Sequence, residues 1–175
     1  MHSKELLLKT INAVLFNVAW LFCVLGGNQV ALATAATLLV IHLLFIAPAW
    51  SEVLLLMMLA ALGIAIDTLW FVSGVLVNAD GSEMVPVWLC ALWICFSTTC
   101  AHCFTFLHER LLLAAVLGGV FGTSSYWVGV SLSEVSLGVS PFVALCALAA
   151  VWALLFPGML MIAKAFGKGE ENVYG

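Results

Sequence analysis

Charge is the scarcest property of this chain: Asp, Glu, Lys and Arg make up 8% of its 175 residues. A soluble domain carries roughly 25%, because its surface must be hydrated. A water-solvated exterior is therefore excluded for most of the molecule. With a 65% hydrophobic composition and a mean hydropathy of +1.23, the solvent is expected to be lipid. Period-two alternation is missing too. Strands of a membrane barrel alternate apolar and polar residues over about 10 positions, whereas the apolar stretches here are continuous and rich in Leu and Ala. Helices are expected instead.

Other absences narrow the function. There is no G-x-S-x-G, Walker A, H-E-x-x-H or dinucleotide fingerprint, and the loops are too short for a soluble catalytic domain. The net charge of −4 comes from a few loop and tail acids, so nothing points to nucleic acid. The two halves show no internal repeat, which weakens an inverted-repeat transporter reading. All six cysteines, Cys23, Cys90, Cys95, Cys100, Cys103 and Cys146, fall within apolar stretches rather than outer loops. They read as small packing residues, not as a disulfide scaffold.

What is present is hydropathy divided into about six stretches of spanning length. The predicted helices are approximately 6–26, 30–47, 53–77, 86–107, 111–130 and 141–165. With a cytoplasmic N-terminus, Lys4, Lys9, Arg110, Lys164 and Lys168 all lie at or near the inner face, and the three outer loops carry no basic residue. That is the distribution the positive-inside rule requires. The first stretch is too long for a secretory h-region, and the small-residue site Ala31-Leu32-Ala33 lies inside the second, so a retained anchor helix is expected. The inner turn after the second helix holds Pro48, Trp50 and Glu52, and Pro157 is expected to kink the last helix.

Polar residues inside these spans are the candidate site. Asp67 lies near the middle of the third helix, where a carboxylate costs roughly 2.5–3.5 kcal/mol to insert and should face the bundle interior. His42 and His102 fall in the cytoplasmic half, at depths within about 5 Å of each other, with Asn12 at a similar level. Asp67 lies about 10 Å further outward by the same count, level with Asn17, Ser97 and Thr98. Two polar layers are expected rather than one Asp–His pair. Cys100 and Cys103 share a helix face at i,i+3, but His102 points elsewhere and a closed site needs about four ligands. No metal and no cofactor are therefore expected. On the fifth helix Ala114, Gly118, Gly122 and Tyr126 recur every four residues, with Gly119 widening the groove, and this small-residue stripe invites close helix packing.

Several stretches together resemble a known family: Asn12 to Phe16 with Trp20 to Gly26, Leu62-Gly-Ile-Ala-Ile-Asp67, Leu92-Trp93 through Thr99 to His102, and Leu117-Gly118-Gly119 to Tyr126 and Gly129. The family consists of small multipass bacterial inner-membrane proteins known as a domain of unknown function. The resemblance implies that Asp67 and His102 are polar marks on otherwise apolar helices and that Cys100 and Cys103 are not part of the pattern. The chain departs at Thr123 and Ser124, where the family has a Pro-containing turn. The resemblance brings no established activity, and associates the protein only with lipid modification or envelope stress.

The reading is thus an all-α integral membrane bundle of about six helices, forming one transmembrane domain with both termini cytoplasmic. Its leading function is non-enzymatic: holding a membrane lipid or small ligand, or serving a partner membrane protein or second copy of itself. The bundle interior around Asp67, Asn17, Thr98, His42 and His102 would serve this role. A proton-coupled carrier using Asp67 and a membrane-embedded lipid-modifying enzyme using His102 are the alternatives.

Overall fold

The computed structural model describes residues 2–47 and 50–174, with side chains from 4 to 47 and 50 to 166. Helix α1 spans His2–Leu25 and α2 spans Gly27–Ile41, extended by one π-helical turn, His42–Ile46. The reversal between α1 and α2 takes one residue, because Gly27 adopts φ +68°, a left-handed value that glycine reaches without penalty. Helix α3 follows at Trp50–Val72 and α4 at Val87–Cys100. A short 3₁₀ turn, Thr105–Leu107, leads to α5 at Leu111–Leu117. A second π-helical segment, Gly118–Gly122, joins α5 to α6 at Thr123–Leu132, and α7 runs from Pro141 to Tyr174 without stopping at Pro157.

Five of these stretches are long and apolar enough to cross a membrane: Lys4–Leu25, Gly27–Ile46, Trp50–Val72, Leu111–Leu132 and Pro141–Phe166. Their outward faces agree with that, since Leu112, Phe142 and Leu154 are 78–82% exposed with nothing polar to justify it in water. Val87–Cys100 is apolar but shorter, about 21 Å at 1.5 Å per residue against a hydrocarbon core of about 30 Å.

Two predicted ends are corrected. The third helix was expected to reach residue 77 and stops at Val72. Gly74 takes φ +71°, its N–H bonds to Phe71 O, and the N–H of Val75 reaches Trp70 O at 3.0 Å. That pairing is a Schellman termination, which a glycine after the last turn favours. The fourth helix was expected to reach residue 107 and ends at Cys100. There Ser97, Thr98 and Thr99 turn their hydroxyls back onto Ile94 O, Cys95 O and Phe96 O. Three successive back-bonds of this kind compete with the helical ladder. At the other end of the chain, α7 continues past the boundary expected near Ala165, and Pro48 of the predicted inner turn lies outside the described residues.

After α3 and before α7 the chain forms two short strands, β1 (Leu76–Asn78) and β2 (Val135–Leu137), paired antiparallel with Val77 opposite Ser136. They close one end of the bundle. Gly138 is required there, because a Cβ would sit 2.1 Å from Gly74 O.

Helix α4 lies at the centre, packed against α1, α2 and α3. Toward α1 and α2 the contact is built from small side chains, Ala19, Cys23, Ala31, Ala35, Ala91 and Cys95. In lipid, where apolar surface gains nothing by leaving solvent, such close backbone approach is what holds helices together. Toward α3 and α7 the filling is aromatic and bulky: Trp93, Trp152, Phe156, Leu59, Met159 and Leu160.

Candidate functional site

The buried polar groups separate into two clusters. In the first, Asp67 on α3 is fully buried and both of its carboxylate oxygens are engaged. Trp93 on α4 donates its indole N–H to Oδ2 at 2.6 Å, and Tyr126 on α6 donates its hydroxyl to Oδ1. These donors are themselves fixed. The Trp93 ring stacks on Trp152 of α7 with centroids 5.4 Å apart and planes 10° from parallel, and Tyr126 meets Trp152 edge-on at 6.1 Å. Gly63, one turn before Asp67, leaves the space that the Trp93 ring fills. One carboxylate thus joins α3, α4 and α6 at the depth where an unpaired polar group is most costly.

The residues expected at the depth of Asp67 make their own side-chain hydrogen bonds within their helices. Ser97 and Thr98 spend their hydroxyls on α4's own carbonyls, and Asn17 donates to Ala13 O on its own helix at 2.8 Å. Asn12 reaches across from α1 to Thr98 O at 3.0 Å, while its own Oδ1 is buried without a partner among the described residues. Trp93 could have been found from the sequence: it lies one helical turn before Ser97, and an indole N–H inside a span needs an acceptor.

Beside the first cluster lies a partly open cleft of about 570 Å³, lined by Phe16, Asn17, Trp20, Trp93, Phe96, Tyr126, Trp152 and Phe156 among others. Its walls are almost entirely apolar. Ser124 and Ser125 also line it, with Ser124 Oγ donating to Val120 O of its own helix. Across the floor Gly118 and Gly122 lie directly against Trp152 and Phe156, Gly119 against Ala149, and Ala114 is buried in the same cluster. The π-helical segment Gly118–Gly122 occurs in an unbroken Leu111–Leu132 span.

The second cluster is at the opposite end of α3. Glu52 Oε1 accepts from His42 Nε2 and from His102 Nε2, each at 2.8 Å. The imidazoles meet edge to face, with centroids 4.8 Å apart and an interplanar angle of 76°. His42 is 1% exposed, Glu52 11% and His102 21%. His42 opens the π-helical turn after α2, Glu52 sits in the first turn of α3, and His102 lies two residues past the end of α4. Glu52 is the residue that sequence reasoning placed in the inner turn without a role. An acid in the first turn of an apolar span, next to two histidines of matching depth, was the available signal. His102 therefore faces Glu52 rather than a cysteine pair, and Cys103 Sγ turns to Thr99 O at 3.7 Å.

A helical bundle with five membrane-length apolar helices and two acids, Asp67 and Glu52, held in interhelical clusters has the architecture of a polytopic membrane protein. More narrowly, the chain belongs to the DUF2878 family: the family model, described as a protein of unknown function, matches residues 9–158. No curated protein and no solved structure matches the chain.

Proposed function

We propose that the protein is a bacterial inner-membrane component that accommodates the acyl chain of a membrane lipid in the aromatic cleft between α1, α4, α6 and α7, without catalysing a reaction. The cleft carries this reading. Its volume of about 570 Å³ falls in the range of roughly 300–1,000 Å³ usual for small-molecule sites, and its lining offers dispersion contacts rather than hydrogen bonds. Asp67 supports it from behind, since the carboxylate holds Trp93 and Tyr126 in position as walls.

The same reading takes the chain as one transmembrane domain crossing six times with both termini cytoplasmic. Helix α4 and the segment down to Leu107 complete the fourth passage. The distribution of basic residues supports it, as does the pairing of Lys164 with Glu109 at 2.5 Å, beside Arg110. A second copy or another membrane protein would meet the exposed apolar faces.

The test is lipid retention. Protein extracted in mild detergent and measured by native mass spectrometry is expected to carry bound phospholipid. Ser125→Phe, which fills the cleft from a half-buried position, is expected to lose it while keeping a monodisperse elution profile. Retention unchanged in a folded Ser125→Phe protein refutes the cleft as the lipid site.

A further inference from the structure

We propose that His42, His102 and Glu52 form a binding site for one divalent first-row transition-metal ion. The inference is independent of the lipid reading, for the cluster lies at the other end of α3 from the β1–β2 pair and does not line the cleft. Two imidazoles and one carboxylate come from three separate elements, and one ligand atom from each lies within 4.8 Å of the others. Metal–nitrogen and metal–oxygen bonds of about 2.0–2.2 Å put adjacent ligand atoms about 3 Å apart. Oε1 is 2.8 Å from each Nε2, and all three ligand atoms lie within 4.8 Å of one another, so binding one ion requires the two Oε1–Nε2 contacts to open by a few tenths of an ångström and the imidazole nitrogens to draw together onto it.

The donor set selects the class of ion. Imidazole nitrogen suits zinc, iron, copper and nickel, whereas magnesium and calcium want oxygen alone. No thiolate is directed into the cluster, which argues against the softest ions. Three protein ligands, with His102 and Glu52 partly exposed, leave coordination positions open toward the accessible side, as non-structural metal sites do. The π-helical turn at His42–Ile46 is the second independent observation. Inserted π turns are rare and concentrate at functional positions, and this one begins at the buried ligand.

Zinc itself is the probe. Full-length protein purified in detergent through a histidine-free tag, treated with chelator and then given zinc, is expected to retain about one ion per chain after gel filtration. His102→Gln and Glu52→Gln are expected to retain less than a tenth of that. His108→Gln is expected to match the wild type, because His108 bonds to Cys100 O outside the cluster. X-ray absorption of the zinc-loaded wild type is expected to show imidazole scattering with a first shell near ~2.0 Å and no sulfur, a readout that needs no variant to fold. Failure of the wild type to retain zinc overturns the proposal, as does a sulfur shell, or folded His102→Gln and Glu52→Gln proteins that bind as the wild type does.

Discussion

Replacing Gly63 by alanine should destabilise the bundle, although the same change in an exposed helix stabilises it by about 0.8–1.0 kcal/mol. A Cβ at this position would lie 2.1 Å from two atoms of the Trp93 ring. Carbon atoms pack at about 3.5–4.0 Å, so the indole must retreat by roughly 1.5 Å. It has nowhere free to go, because its other face is stacked on Trp152. Moving it stretches the 2.6 Å bond to Asp67 Oδ2 beyond hydrogen-bonding range. Overpacking costs about 1–3 kcal/mol, and leaving a buried acceptor short of its donor costs about 1–3 kcal/mol more. Against the alanine gain, the expected net loss is about 1–5 kcal/mol. The assay is equilibrium unfolding in mixed micelles, titrated with a denaturing detergent and followed by tryptophan fluorescence. In a Trp93→Phe background the same alanine should cost much less, since the smaller ring clears the new methyl. An alanine variant as stable as the wild type in both backgrounds refutes the account of Asp67 as an anchored carboxylate.

The same measurement checks three further expectations. Tyr126→Phe removes the hydroxyl that donates to Asp67 Oδ1 and should cost about 1–3 kcal/mol, whereas a neutral result would mean the carboxylate finds another donor. Gly118→Leu drives a side chain into Trp152 O and Phe156 Cβ, which stand 2.7 and 2.8 Å from an ideal Cβ. It should lose about 1–3 kcal/mol, and tolerance would place that face against lipid. Asn12→Leu should be milder, about 0.5–1.5 kcal/mol, because the amide gives up one bond to Thr98 O and also an oxygen that had no partner. Orientation is checked separately: alkaline phosphatase fused after Ser82 should be active and after Arg110 inactive, with green fluorescent protein reporting the reverse.

Hydropathy made the helices legible because lipid demands length and apolarity above all else, and those are properties of composition. Helix ends were less so. The stop at Val72 was encoded in Ser73-Gly74, but an apolar run to Val77 outweighs one glycine in any window average. The end of α4 depended on three consecutive hydroxyls choosing their own carbonyls, a choice that sequence leaves open. At the polar clusters, depth counting separated Asp67 from the two histidines, yet it could not supply azimuth. Which neighbour faces Asp67 depends on helix rotation, and rotation is set by the Gly63–Trp93 and Gly122–Trp152 contacts. Glu52 escaped notice for a related reason: at the edge of a span an acid reads as a solvated end, and only the π-helical turn brings His42 over it.

The β1–β2 pair has a mechanical consequence. It clips the end of α3 to the start of α7 through backbone bonds, while at the far end these two helices are free of any such strap among the described residues. At the clipped end the two helices cannot part without breaking backbone hydrogen bonds, whereas toward Glu52 they are held by side-chain packing, with Leu55 and Leu59 sharing one buried cluster with Met159, Leu160 and Ala163. A bound ion joining His42, Glu52 and His102 would tie α2, α3 and the chain beyond α4 together at the end that the strands leave unclipped.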